Sequence, residues 1–202
     1  MSKTRIPTQK RSIEKRNKII EKGFELMCKN GYHNTNTSDI AQYAEVSTGI
    51  IYQYFNDKKE IFIEGINCYI DKIMFPAIEL IDENKKLPNN LEDFFKKIVK
   101  TNIEKHISFK KAHQELSSME CLDDNIENIF KEKELILTNK LYNLFLNNNY
   151  QKENLKEKIH IIVNLIDTIA HEEAYHKHQN YNYDKMEDIV IKMIISTLKD
   201  SA

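Results

Sequence analysis

Apolar residues recur along most of this chain at spacings of three and four, the period of an amphipathic α-helix. Near the N-terminus, Ile20, Phe24 and Met27 follow this spacing. Ser12 is positioned to cap a helix that runs to Asn30, where Gly31 ends it by adopting a left-handed conformation. Four glycines and three prolines in 202 residues are too few for the turns of a sheet protein. The pattern therefore predicts an all-α fold.

Two short helices are predicted after a polar stretch that follows Gly31. Thr37 opens the first of them, and Glu45-Val46-Ser47 is long enough only for a tight turn. Ser47 is then placed to cap a second short helix over 48–55, and Asp57 to cap a fourth helix. Two short helices that are joined by a three-residue turn and supported by a third form a helix-turn-helix.

Longer apolar stripes fill the rest of the chain. Pro76 is expected to kink or end the fourth helix, because proline lacks the N–H that a helix interior needs. The later stripes predict helices at 91–106, 110–119, 126–145, 159–179 and 186–198. We therefore expect about nine helices in two domains. The first domain covers 13–73 and contains the helix-turn-helix at about 36–55, and the second is a helical domain over 74–202.

The near-neutral composition hides a basic N-terminal region. Residues 1–62 contain eleven Lys and Arg against seven Asp and Glu, whereas the remainder contains nineteen against twenty-four. All three arginines, Arg5, Arg11 and Arg16, lie in the first 22 residues. This asymmetry favours a polyanionic partner. A solvated basic tail is the alternative.

The predicted second short helix carries side chains suited to DNA. Tyr52 and Tyr54 have hydroxyls that reach phosphates, and Gln53 can read a base edge. Gly49 lets the helix approach a surface closely, and Lys58 lies near the start of the next helix, placed for a phosphate. For the two tyrosines, the alternative is a half-buried place in the core.

The same region resembles the N-terminal domain of the TetR family of bacterial regulators over about 13–73. The matching positions are Gly31-Tyr32, Thr35, Ile40-Ala41, Ala44, Val46-Ser47, Gly49, Ile51-Tyr52, Tyr54-Phe55, Lys58 and Glu60-Ile61-Phe62. The chain departs from the family at Glu45, where a glycine is common, and at Ile50, where a small residue or threonine is common. A non-glycine residue with positive φ at Glu45 costs about 1 kcal/mol.

The resemblance implies a division of labour among the DNA-binding residues. Phosphate contacts are expected from Thr37, Thr48, Tyr52, Tyr54 and Lys58, and positions near bases are expected for Thr48, Gly49 and Gln53. A disordered basic arm over 1–11 with Lys10 and Arg11 would enter the minor groove. The complete candidate set for DNA is Lys10, Arg11, Thr37, Ser47, Thr48, Gly49, Tyr52, Gln53, Tyr54 and Lys58.

For the remaining helices the resemblance implies a small-molecule effector and a homodimer. The last two helices of each subunit would form the dimer interface, setting two recognition helices about 34–36 Å apart on a palindromic operator. Packing of both stripes inside one monomer is the alternative. Phe109, His113 and Tyr142 are the candidate effector-binding residues, because aromatic and polar side chains mix in that region.

The sequence leaves two alternatives to a ligand-responsive regulator, which in this family is most often a repressor. One is a metal-dependent enzyme using the cluster from His171 to His178, but its spacing is not that of zinc hydrolases, and a charged helix end in solvent explains it as well. The other is an architectural DNA-binding protein without an effector. We predict no catalytic residues, no metal site and no cofactor.

The three cysteines, Cys28, Cys68 and Cys121, fit neither a zinc spacing nor a disulfide framework. No run of eighteen apolar residues occurs, and no apolar stretch follows the charged N-terminus. We therefore expect a cytoplasmic protein.

Overall fold

The structure, a computed structural model, describes residues 7–83, 86–150 and 152–199. These residues form ten helices and no strand, which confirms the predicted all-α class. No helix among them is both long and apolar enough to cross a membrane. The helices are α1 (Lys10–Asn30), α2 (Thr37–Tyr43), α3 (Thr48–Tyr54), α4 (Lys58–Ile73), α5 (Ala77–Glu83), α6 (Leu91–Ser108), α7 (Lys110–Glu120), α8 (Asp124–Leu146), α9 (Leu155–Tyr175) and α10 (Tyr183–Lys199).

Helix α5 is the described helix that the sequence did not predict. Pro76 separates α4 from α5 and stands immediately before the first residue of α5. Proline is tolerated there because the first N–H groups of a helix have no partner within it. The residue therefore divides two helices and does not kink a single one.

Helix α1 starts earlier than predicted and ends, as predicted, at Asn30. It begins at Lys10, and Gln9, the residue at its N-cap, makes no side-chain cap, so Ser12 lies inside the helix and does not cap it. Lys10 and Arg11 are thus the first helical residues and not part of a disordered arm. At the other end Gly31 has the expected positive φ of 96°, but its ψ of 139° lies outside the left-handed helical region.

The described part of the chain forms two compact units. Unit 1 contains the residues up to Ile70 together with Lys111–Glu127, and unit 2 contains Asp71–Lys110 and the residues from Asn128 onward. The predicted boundary between residues 73 and 74 divides a DNA-binding domain from an effector-binding and dimerisation domain. This functional division stays a prediction.

Close helix contacts in unit 1 depend on two glycines that face neighbouring side chains. A Cβ added to Gly23 would lie 2.7 Å from Cγ2 of Ile61, and one added to Gly65 would lie 2.5 Å from the Phe24 ring. Phe24 in turn lies against Phe62, with ring centroids 5.5 Å apart. The absence of a side chain at both glycines allows α1 and α4 to pack closely.

The second segment of unit 1 joins this core through polar and apolar contacts. The Tyr32 N–H donates to Glu115 Oε1 at 2.6 Å, and Lys59 pairs with Asp123. Leu116 and Ile126 are fully buried. This segment therefore belongs physically with the N-terminal helices, although some forty residues of unit 2 separate it from them in sequence.

In unit 2, helices α6, α9 and α10 pack against one another. Each contributes a buried stripe to one hydrophobic core, which also includes residues of α5 and α8. The most buried side chains of this core are Phe95, Val99, Phe145, Ile159, Ala170 and Ile194. The apolar periodicity at 159–170 and 186–198 thus first serves the core of a single subunit.

We predict that Gly65→Ala destabilises the protein by about 1–3 kcal/mol, because its Cβ would overlap a buried ring that cannot move away. Chemical denaturation measures this loss. Gly49→Ala is the matched control, since nothing lies within 4 Å of the added Cβ. Equal stabilities for the two variants would contradict the packing described for α1 and α4.

Candidate nucleic-acid interface

Helix α2 begins with a reciprocal capping box. The Asn36 side-chain oxygen accepts hydrogen bonds from the N–H groups of Ser38 and Asp39, at 2.9 and 3.0 Å. In return Asp39 Oδ2 accepts one from the Asn36 N–H at 2.8 Å. This exchange satisfies N–H groups that otherwise lack partners at a helix start. It fixes Thr37 as the first residue of α2, as predicted.

The turn between α2 and α3 has the strained residue that the sequence suggested. Glu45 has a φ of 56°, which a residue with a Cβ adopts at a cost of roughly 1 kcal/mol. The Val46 N–H donates to Ala41 O at 2.9 Å and closes the turn. The Lys18 ammonium lies 2.6 Å from the Glu45 carboxylate and lowers its pKa through a hydrogen bond.

Ser47 occupies the N-cap position of α3, but its side chain makes no cap hydrogen bond. The prediction that Ser47 satisfies the first amides of this helix is therefore wrong for its side chain. Its backbone carbonyl instead accepts from the Ile50 N–H at 2.9 Å. The hydroxyl is thus not used for capping.

Helix α3 is attached to unit 1 along one side only. Ile51 is its single buried residue, and Phe55, which follows it, is also buried. The opposite side is open: Tyr52 is 55% exposed, and nothing lies within 4 Å of the Gly49 Cβ position. Gln53 is exposed as well, whereas Thr48 and Tyr54 are half-buried. The exposure of Tyr52 excludes a half-buried core position for this residue. Tyr54, in contrast, is half-buried, as the alternative for it proposed.

A polar groove of about 400 Å³ lies beside the exposed side of α3 and brings together three of the predicted DNA-binding residues, Thr37, Tyr52 and Lys58. The other residues that line the groove were not predicted to bind DNA. Polar loop residues next to a helix-turn-helix are the signal that could have identified them. They are His33, Asn34, Thr35, Asn36, Asn56 and Asp57.

Lys58 has a structural task in this groove. Its ammonium donates to Tyr32 O at 2.6 Å and to Thr35 O at 2.8 Å, and it lies 4.4 Å from the centre of the Tyr32 ring. An ammonium has three donors. These bonds hold the charge at the groove and leave one donor for a phosphate oxygen.

The basic N-terminal region is only partly available for DNA. Lys10 and Arg11 are exposed on the first turn of α1. Arg16 is engaged inside unit 1, since its guanidinium lies 2.6 Å from Glu64 Oε1 and 5.0 Å from the centre of the Phe55 ring. Arg5 lies outside the described residues. Arg16 therefore contacts Phe55, one of the two buried residues that attach α3 to unit 1.

The three candidate effector residues do not share one unit. Phe109 and Tyr142 are half-buried in unit 2, and Tyr142 packs against its core. His113 is buried in the part of α7 that belongs to unit 1. Their role in effector binding stays a prediction.

The cluster from His171 to His178 does not form one face of a helix. Helix α9 ends at Tyr175, and His176 and His178 are exposed beyond it. Lys177 pairs with Glu173 at 2.8 Å. The last residues of this segment thus lie at a helix end in solvent, as the alternative interpretation proposed. His171 lies within α9 and pairs with Asp167.

Comparison with known proteins supports the helix-turn-helix independently. The family model of bacterial regulatory proteins of the tetR family matches residues 19–64. The HTH-type transcriptional regulator HbdR of Aromatoleum sp. is 41% identical over 58 residues, or 29% of this chain and 25% of HbdR. The fatty acid metabolism regulator protein of Bacillus subtilis is 34% identical over 34% of this chain and 38% of that protein. The chain thus spans well under half the length of these two relatives.

Longer matches have lower identity. IcaR of Staphylococcus aureus, a negative transcriptional regulator of the biofilm operon icaADBC, is 24% identical over 71% of this chain and 86% of IcaR. A Mesorhizobium loti structure assigned to the TetR family has a TM-score of 0.74 at 16% identity and covers 95% of this chain and 98% of its own. Salmonella enterica GusR has a TM-score of 0.72 at 14% identity and covers 93% of this chain and 97% of its own.

These two structures share the fold of nearly the whole chain, and the family model covers α2, α3 and part of each helix that flanks them. Residues 19–64 are thus similar to the helix-turn-helix domain of the tetR family of bacterial regulatory proteins.

Proposed function

We propose that this protein is a ligand-responsive transcriptional regulator that binds a palindromic operator in double-stranded DNA as a homodimer. The observation that carries the proposal is the exposed side of α3, where Gly49, Tyr52 and Gln53 face solvent next to the polar groove. A helix of this kind enters the major groove of DNA with its N-terminal residues near base edges. Repression is the more frequent action in the family, and the relative IcaR is a negative regulator.

A role is proposed for each predicted contact residue. Thr37, Tyr52 and Lys58 line the groove and are proposed to bind phosphates, as are Thr48 and Tyr54 on α3. Gly49 and Gln53 are proposed to lie against bases. Additional contacts are proposed for Lys10, Arg11 and Ser47, the first two from the start of α1. A regulator of this kind acts where the chromosome is, so we expect it in the cytoplasm.

The rival functions have less support. The relatives described above are regulators, and His178 does not join His171 on a helical face as an enzyme centred on that cluster would need. An architectural protein without an effector is also not supported by them. The effector itself is proposed to bind in unit 2.

The dimer is proposed to use exposed apolar residues of the last two helices. Ile161 on α9 is 60% exposed, and Ile189 and Met193 on α10 are 55% and 51% exposed. Ile189 and Met193 lie one helical turn apart and so share a face. Other residues of both helices fill the core of unit 2. Each helix therefore packs one apolar side into its own subunit and keeps exposed apolar residues that a second subunit could cover.

The direct test is DNA binding by the full chain to duplexes selected by this protein from a random pool. We expect the selected sequences to share a palindrome and the affinity to fall steeply as salt rises, because phosphate contacts release counterions. A protein that enriches no sequence and binds no duplex at low salt would overturn the proposed function.

We predict that Tyr52→Ala lowers the affinity for the selected duplex about tenfold, because a hydrogen bond to a charged phosphate is lost. Gel-shift titration measures the change. Tyr181→Ala is the control, since Tyr181 is similarly exposed at 63% but lies in unit 2. Unchanged affinity in Tyr52→Ala would refute the phosphate contact.

Gly49→Ala is expected to bind the selected duplex at least about tenfold more weakly while its free energy of unfolding stays the same or rises. The added methyl meets no protein atom, and alanine is favoured over glycine in helices by about 1 kcal/mol. Fluorescence anisotropy with labelled duplex, next to chemical denaturation, separates the two effects. Native affinity would mean that α3 does not approach the DNA at Gly49.

Met193→Lys is expected to shift the protein from dimer to monomer, because the charge would have to be buried in the interface. Light scattering after size-exclusion chromatography measures the mass. Leu135→Lys serves as the control, because Leu135 is exposed to the same degree, 52%, on α8. A Met193→Lys protein that remains dimeric would place the interface elsewhere.

A further inference from the structure

In unit 2, two histidines and an aspartate from α6 and α9 converge on one point. His106 Nε2 lies 3.3 Å from Asp167 Oδ1, and His171 Nε2 lies 3.6 Å from Asp167 Oδ2. One ligand atom from each of the three side chains lies within 4.8 Å of the other two. None of these residues has a part in the proposed DNA interface.

The hydrogen bonding of His106 determines which of its nitrogens carries a proton. Nδ1 lies 2.8 Å from the carbonyl oxygen of Asn102, which can only accept, so Nδ1 carries the hydrogen. In a neutral ring Nε2 then presents a lone pair toward the Asp167 carboxylate. Two acceptors 3.3 Å apart repel each other unless a cation lies between them. That cation is either a proton on the ring or a metal ion.

The arrangement meets the requirements of a metal ligand set. Metal-bound histidines commonly donate their second ring N–H to a backbone carbonyl, as His106 does to Asn102. Ligand atoms about 2.1 Å from a tetrahedral ion are roughly 3.4 Å from one another. The separations of 3.3 and 3.6 Å are close to this value.

The site is buried on one side and open to solvent on the other. The His106 side chain is 0% exposed. The side chains of Asp167 and His171 remain 48% and 36% exposed, which leaves a path for an ion.

Tyr175 helps to hold the two helices together at this point. Its hydroxyl donates to His106 O at 3.3 Å, and its ring centre lies 5.2 Å from that of His171. Burial raises the pKa of Tyr175 to about 12, so the hydroxyl keeps its proton and remains a donor. It therefore positions the site and is not counted as a ligand.

We propose that His106, Asp167 and His171 bind a divalent first-row transition-metal ion. Imidazole nitrogen suits Zn²⁺, Fe²⁺, Ni²⁺ and Cu²⁺, whereas Mg²⁺ and Ca²⁺ prefer oxygen ligands. Three protein ligands leave at least one coordination position for water or another small ligand. The sequence alone does not indicate this site, because His106 is 65 residues away from His171 along the chain.

Titration calorimetry with ZnCl₂ on the full, untagged and chelator-treated chain tests the proposal, with MgCl₂ as the comparison ion. We expect one Zn²⁺ per chain at micromolar affinity or tighter, and no heat from Mg²⁺ at the same concentrations. Co²⁺ should give the visible absorption bands of a site with nitrogen and oxygen ligands. No Zn²⁺ binding in the native chain would mean that a proton bridges His106 and Asp167, and would overturn the proposal.

His171→Ala and Asp167→Asn are expected to weaken Zn²⁺ binding by at least about tenfold. Both residues are partly exposed, so these variants should fold, which circular dichroism checks. His176→Ala is the matched control and should bind as the native chain does, because His176 is exposed beyond the end of α9. Native affinity in both ligand variants, or its loss in His176→Ala, would overturn the site. The titration contains no DNA, so a failure of the proposed operator binding leaves its outcome unaffected.

Discussion

The attachment of α3 through Ile51 and Phe55 is the constraint on which the proposed DNA-binding surface depends. A seven-residue helix is not stable by itself in water. Its position is set by the burial of these two side chains, with Arg16 lying over the Phe55 ring. Because so little of the helix is buried, the rest of its surface stays available for DNA.

The core behind that attachment is compact because two glycines let helices approach closely. Gly23 and Gly65 provide room for Ile61 and Phe24, and the capping box at Asn36 sets where α2 begins. The strained Glu45 is tolerated because the surrounding contacts of the turn hold it. The core thus stabilises the N-terminal unit, while Gly49, Tyr52 and Gln53 remain exposed. Lys58 differs from these three residues, because it also binds backbone carbonyls of this unit.

In unit 2 the same helices serve more than one purpose. Helix α9 supplies core residues such as Ile159, an exposed apolar residue at Ile161, and polar residues at Asp167 and His171 that meet His106. Its 3.6-residue period turns these groups toward different sides. One helix can therefore take part in the core, in the proposed subunit interface and in the proposed metal site without conflict between them.

The sequence by itself determined the helical class, nine of the ten helices in the described residues and the helix-turn-helix, because these follow from local periodicity, capping residues and turn length. It also favoured exposed positions for Tyr52 and Gly49, since their places in a short amphipathic helix depend on near neighbours. Only the tertiary structure decided that Lys58 holds backbone carbonyls, that 111–127 joins unit 1, and that His106 meets Asp167. These contacts join residues distant in sequence, and local patterns contain no information about which helices pack side by side.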